Sequence, residues 1–206
     1  LHFIEGCSAP KYEKNNLHVG SVEIFVKKGA KMRFSTVESW SKNVFNLNTK
    51  RALVETGGEM EWVSGTFGSK VTMLYPTTIL KGEWAKMEYL GMSLASGEQI
   101  LDSGAKVICL ADNTSAMIRS KSVAKNGGVS MTKTLAKVGK GVKGVKAYID
   151  CKSLILDSES RSYAEPMVDV NSGEAEVTHE ASVGKLSEEI LYYLATRGIC
   201  EEKAKE

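Results

Sequence analysis

The residues whose types and spacing could do chemistry are two cysteines and one histidine–glutamate pair. Cys151 sits in Tyr148-Ile-Asp-Cys-Lys-Ser-Leu-Ile-Leu156, which reads as a strand, and His179-Glu180 follows 28 residues later in Glu176-Val-Thr-His-Glu-Ala181. A thiolate, an imidazole and a carboxylate together suit iron or zinc. Strand alternation limits that set. His179 and Glu180 point to opposite faces, so only one of them joins Cys151 unless a bulge intervenes. The competing reading of Cys151 is a small buried hydrophobe, and residue types alone favour it. Cys7 lies in Glu5-Gly-Cys-Ser-Ala-Pro10, a turn-like context close to Lys11. A nearby cation favours thiolate and hence reactivity. The plainer reading is a thiol with no role. Cys109 and Cys200 read as structural, and no pair of cysteines has the CxxC spacing of a zinc knuckle or a thioredoxin-type site. Lys50 and Arg51 read as a solvated basic pair after a loop.

The elements that must position these residues are marked by a recurring glycine. Gly29 opens Gly29-Ala-Lys-Met-Arg-Phe34, and Gly57, Gly82, Gly104, Gly127 and Gly144 each lead into a similar strand-like run. Successive starts are 28, 25, 22, 23 and 17 residues apart. A quasi-repeat of roughly 20–30 residues is the length of one solenoid coil. Each coil has one apolar side, so coils must stack to bury it. The spacing drifts, which leaves an ordinary two-sheet sandwich as the competing architecture. Period-2 alternation recurs in Ser21–Val26, Lys70–Tyr75, Val107–Leu110, Ala116–Lys121 and Ala147–Cys151, with turn formers such as Asp102-Ser-Gly104 and Asn126-Gly-Gly128 between runs. The glycine-rich basic stretch from Lys137 to Lys146 reads as a turn between coils, since it lacks phosphate-loop spacing.

Near residue 183 the pattern changes to helix. Ser187 is the expected N-cap, Glu188 and Glu189 suit the positive end of the dipole, and Gly198 is the expected stop. Leu186, Ile190, Leu191, Leu194 and Ile199 fall on one face, and a second helix is expected from Glu201. The expected plan is a β-solenoid over residues 1–182 and a small helical domain over 183–206. That domain reads either as a cap on the last coil or as an interaction module.

Composition narrows the class. The chain has 206 residues, 27 basic against 25 acidic side chains and a net charge of +2. That balance gives no electrostatic reason to expect nucleic acid. No apolar run approaches the ~18 residues of a membrane span. Leu1-His-Phe-Ile-Glu-Gly has none of the parts of a signal peptide, and with no initiator Met the chain reads as part of a longer protein. Four scattered cysteines then point to free thiols in a reducing compartment.

An ordered series of short motifs resembles the SufB/SufD family, and within it the SufB branch. The series includes Phe3-Ile-Glu-Gly-Cys-Ser-Ala-Pro10, Thr49-Lys-Arg-Ala52, Met60-Glu-Trp62, Gly68-Ser-Lys-Val-Thr-Met73 and Tyr75-Pro76. It continues through Ile79-Leu-Lys-Gly82, Asn113-Thr114, Ser120-Lys-Ser122, Arg161-Ser162, His179-Glu-Ala181 and Ser187-Glu-Glu189. The resemblance implies a right-handed parallel β-helix acting as a scaffold subunit for iron–sulfur cluster assembly. It implies a SufC-type ABC ATPase docked on the C-terminal helical domain, and a second SufB chain or a SufD paralogue. It further implies a cysteine desulfurase as sulfur donor, apo iron–sulfur proteins as recipients, and a flavin in the full-length complex.

Residue by residue, it matches Cys7 to the cysteine that accepts sulfur. Thr36, Trp40 and Lys50 match residues lining a sulfur route inside the β-helix. Cys151 matches the cysteine that ligates the nascent cluster, with His179 and Glu180 beside it. Location follows as cytoplasm, or plastid stroma in a plastid-bearing organism. Three departures stand out: Thr178 where the family often has Glu, Glu38 where many members have Gln, and a shorter loop between Trp40 and Lys50. Two readings compete. One is a cluster-free scaffold of SufD type. The other is a β-helix hydrolase or lyase of polysaccharide, which needs clustered carboxylates, whereas the acids here are scattered.

Overall fold

The computed structural model describes residues 1–11, 13–185 and 187–204. Among the described residues, fourteen strands are followed by two short helices. The strands are β1 (His2–Ser8), β2 (Asn16–Val26), β3 (Lys31–Trp40), β4 (Val44–Val54), β5 (Glu59–Gly68), β6 (Val71–Leu74) and β7 (Thr77–Leu80). They continue as β8 (Lys86–Ser96), β9 (Ile100–Cys109), β10 (Ser115–Lys125), β11 (Val129–Val138), β12 (Lys146–Ile155), β13 (Arg161–Val170) and β14 (Glu176–Lys185). The helices are α1 (Glu188–Thr196) and α2 (Glu201–Ala204). One sheet stacks β1-β3-β5-β8-β10-β12-β14 and the other β2-β4-β6-β9-β11-β13, with β7 pairing β4 and β9 beside β6. Every pairing is parallel. Successive strands alternate between the two sheets, with β6 and β7 sharing one rung of the second, so the fold is a parallel β-helix and not a sandwich.

First-sheet strands begin at residues 2, 31, 59, 86, 115, 146 and 176, a coil of 27 to 31 residues. That repeat is steadier than the glycine spacing, because five of the six marker glycines sit in the turns while Gly104 lies inside β9. At Gly104 the backbone has φ 156°, and a Cβ would run into the Lys133 carbonyl oxygen of the neighbouring strand. Only glycine fits there.

Parallel in-register stacking turns each inward position into a column. In the first sheet Phe3, Phe34, Trp62, Tyr89, Ile118, Ile149 and His179 form one column. Glu5, Thr36, Ser64, Gly91, Ser120, Cys151 and Ala181 form the next, and Cys7, Glu38, Thr66, Ser93, Ser122, Ser153 and Val183 the third. The interior is therefore divided. One side is an apolar core including Val54, Met60, Trp62, Leu80, Val107, Ile118 and Ile149. The other side is a row of buried hydroxyls, joined from the second sheet by Ser103, Ser130, Thr132 and Thr134. Buried hydroxyls need partners, and stacking supplies some of them: Ser122 and Ser153 bond at 2.8 Å.

The helix signals fall where expected. Ser187 Oγ accepts from the Ile190 amide and Gly198 has φ 82°. No residue of α1 is buried. Leu186, expected on its apolar face, lies outside the described residues. No helix among the described residues is long and apolar enough to cross a membrane.

Candidate functional site

Cys7 lies on β1, not in a turn, and Lys11 is not the cation that acts on it. Its cross-strand partner is Glu38, and two residues back Glu5 pairs with Thr36. Lys50 reaches across from β4. Its Nζ donates to Glu5 Oε2 at 2.6 Å and to Thr36 Oγ1 at 2.9 Å, and lies 3.9 Å from Glu38 Oε1. The solvated pair expected at Lys50-Arg51 is half right, since alternation along β4 leaves Arg51 exposed and turns Lys50 inward to 3 % exposure.

The cluster extends beyond the residues singled out in the sequence. Asn46 Nδ2 donates to Glu38 Oε2 at 2.6 Å and Asn48 Nδ2 to Glu38 Oε1 at 3.3 Å. His18 Nδ1 bonds Asn46 Oδ1 at 2.9 Å, and its ring lies 4.4 Å from the Trp40 ring. The Trp40 indole N–H is buried with no partner among the described residues. Asn46, Asn48 and Lys50 alternate with Phe45 and Leu47. Such a pattern ordinarily means polar side chains out and apolar side chains in. Here it is inverted: Asn46 and Lys50 are fully buried while Leu17 and Val19, on the outer face of the neighbouring strand, are about two-thirds exposed. The alternation reads the same either way, so the sequence carried no signal for this inversion.

The cluster sets the state of its groups. Burial alone would raise the Glu5 carboxyl, but the Lys50 ammonium and the Thr36 hydroxyl outweigh it and hold it below the usual range. For Cys7 the balance runs the other way. Burial pushes the thiol up, Glu5 and Glu38 push it further, and Lys50 offsets only part. Two carboxylates around one ammonium make a poor setting for a third anion.

At the other end, Cys151 is fully buried on β12 between Ser120 and Ala181. Burial pushes its thiol up, the neighbouring Thr134 hydroxyl works against that, and Asp150 adds to it. The Ser130 hydroxyl is buried and has no hydrogen-bond partner among the described residues. His179 occupies an inward position of β14, two residues from the partner of Cys151, and is exposed because no described strand follows that rung. Glu180 pairs with Asp150 on the outer face, where it accepts from Tyr148 Oη at 3.3 Å. Alternation thus selects His179 as the one that shares a face with Cys151. Among the described residues no group of three His, Cys, Asp or Glu side chains converges as a metal site.

The remaining cysteines divide. Cys109 is buried in the core, as expected, whereas Cys200 is exposed and supports no core. Outer-face carboxylates are taken up in pairs between rungs, such as Lys31–Glu59 at 2.8 Å and Lys27–Glu55 at 2.8 Å.

Fold and site together define a class: a parallel β-helix protein whose polar groups are internal and run from a thiol at the first coil to a thiol next to the last. Over residues 1–206 the chain matches the family described as SUF system FeS cluster assembly, SufBD core domain, and it belongs to that family. It is similar to an iron-sulfur cluster assembly SufBD family protein of Mycobacterium leprae, 47% identical over 204 residues, covering 99% of this chain and 24% of the relative. It is equally similar to SufBD family proteins of Staphylococcus aureus strains MRSA252 and USA300, 47% identical over 206 residues, covering 100% of this chain and 44% of each relative. The chain spans less than half the length of these curated relatives.

Proposed function

We propose that this chain is the core of a SufB-type scaffold subunit that accepts sulfur at Cys7 and helps build a nascent iron–sulfur cluster at Cys151. The supporting observation is the continuous polar side of the interior, which joins the Cys7–Glu5–Thr36–Lys50 cluster to Cys151. The Cys7 thiolate attacks the outer sulfur of a donor persulfide delivered by a cysteine desulfurase system. The donor S–S bond breaks, the donor leaves as thiolate and Cys7 holds a persulfide. Two electrons from a thiol or reduced-flavin donor then cleave that S–S bond to give the Cys7 thiolate and HS⁻. This reading assigns no residue of this chain to hold a flavin.

Cys7 and Cys151 are five strand spacings apart, about 24 Å. Direct thiol-to-thiol transfer does not span that distance, so sulfur travels as HS⁻. Thr36, Trp40 and Lys50 act at the first steps, Lys50 as cation and Trp40 through its unspent indole N–H. Cys151 and His179 take iron and sulfide as cargo, and Glu180 joins only from the outer face. One chain brings too few ligands together, which argues that a second scaffold chain, another SufB or a SufD paralogue, completes the site. The exposed apolar residues of α1, including Ile190 at 51 % exposure, are the proposed dock for a SufC-type ATPase. That partner supplies ATP hydrolysis, and the chain itself is not an enzyme. Clusters pass to apo proteins in the cytoplasm or plastid stroma.

One observation favours the cluster-free, SufD-type reading: Cys151 is wholly enclosed in this chain. Complementation in cells separates the two. With the full-length gene replaced by Cys7→Ala or Cys151→Ala, the proposal expects loss of activity in cluster-dependent enzymes. Intact activity with Cys151→Ala supports the cluster-free scaffold.

A further inference from the structure

The polar column that runs from Glu5 to Cys151, beside the one that starts at Cys7, has one rung without a side chain. From Glu5 through Thr36, Ser64, Gly91 and Ser120 to Cys151, Gly91 alone offers neither hydroxyl nor thiol nor carboxylate. The space is filled from the next column. A Cβ on Gly91 would overlap the Tyr89 hydroxyl and lie 2.6 and 2.7 Å from two carbons of its ring. Tyr89 starts in the aromatic column, but its side chain leans along the strand and carries the phenol over Gly91.

That phenol is wholly buried among core residues. Burial pushes it well above the ordinary phenol range, and the Ser64 hydroxyl of the preceding coil offsets part. Cys151 and Glu38, on later and earlier coils, both push it further up. It is therefore a protonated donor. A desolvated anion needs a donor at each step. Without Tyr89, the donors of this column at Ser64 and Ser120 would be two strand spacings apart, about 9.6 Å, which exceeds hydrogen-bond reach; Ser93 on the same strand belongs to the next column, two residues or about 6.7 Å along.

We propose that Tyr89 is the mid-route positioning residue of this interior, its hydroxyl carrying HS⁻ past the rung where Gly91 supplies no side chain on the way from Cys7 to Cys151. This rests on the roles proposed above for the two cysteines. HS⁻ enters and leaves the rung unchanged, with no bond broken and no electron moved.

The test uses the full-length complex with its ATPase, kept anaerobic with ferrous iron and a thiol reductant. Glutathione persulfide labelled with ³⁵S is the probe. Label on Cys7 and labelled acid-labile sulfide bound with iron are followed in wild type, Tyr89→Phe, Cys7→Ser and Cys151→Ser. Tyr89→Phe is expected to load Cys7 at the wild-type rate but deliver labelled sulfide about tenfold more slowly or worse, the size of one lost bond to a charge. Free sulfide added to the solution is expected to build cluster equally in Tyr89→Phe and wild type, because the Cys151 end is untouched. Tyr89→Leu with Gly91→Ser, which returns a hydroxyl to the column, is expected to recover delivery. Wild-type delivery by Tyr89→Phe, with both cysteine variants blocked, overturns the role of Tyr89 and leaves the roles of the cysteines standing. Failure of Tyr89→Phe with free sulfide as well means that the residue is structural and also overturns it. Delivery by Cys7→Ser and Cys151→Ser at the wild-type rate overturns the underlying reading.

Discussion

Residue chemistry at the first coil turns on charge. Cys7 faces two carboxylates and one ammonium, so its thiol is harder to ionise than a free one. Its alkylation by iodoacetamide is expected to follow a midpoint above the ordinary thiol value of 9.0. Near pH 8, Glu38→Gln should speed the reaction about two- to fivefold and Lys50→Met should slow it by a similar factor; equal rates in all three would remove the electrostatic account. Glu5 has the opposite sign. Its folded value lies below 4.5, so its contribution to stability is full above that pH and is lost as pH falls through the lower value. Thermal midpoints should drop on the acid side, and Glu5→Gln should flatten part of the fall. The flattening is partial because Glu55, Glu59, Asp157 and Asp169 are lowered as well. Much of this site was invisible to residue types. Cys7 and Cys151 stood out through family resemblance, while Cys151 by itself read as an ordinary buried thiol. His18, Asn46, Asn48 and Tyr89 passed unnoticed because their partners lie a coil or more away in sequence.

The elements follow rules that a sequence displays more openly. Alternation marked the strands, and glycine and asparagine marked most turns, since both tolerate positive φ. Gly104 misled the repeat count because its glycine answers to a close approach between strands and not to a turn. Gly104→Ala is accordingly expected to cost more than about 2 kcal/mol, read from chemical denaturation, whereas Gly173→Ala, where an added Cβ meets nothing nearby, should be close to neutral. A small cost at Gly104 would show that β9 and β11 can part without penalty. In the helical segment the caps were legible because they depend on side chains next to the helix itself. What the exposed face of α1 meets is not written in local sequence, since no residue of the helix is buried against the chain.

At the scale of the molecule, stacking converts strand alternation into continuous columns, and the columns give an internal polar line between two thiols. A stacked solenoid was legible from the glycine repeat, and the family resemblance made it a parallel β-helix. The inward polar face was not, because a half-buried strand with its polar side inside has the same alternation as one with its polar side outside. The central claim is that the line ends in a cluster-building site at Cys151. Its most direct test is iron and acid-labile sulfide content of the full-length protein, purified anaerobically with its ATPase, as wild type and as Cys151→Ala. The account predicts iron and sulfide in the wild type and neither in the variant. Equal amounts in both would contradict it and move the site elsewhere.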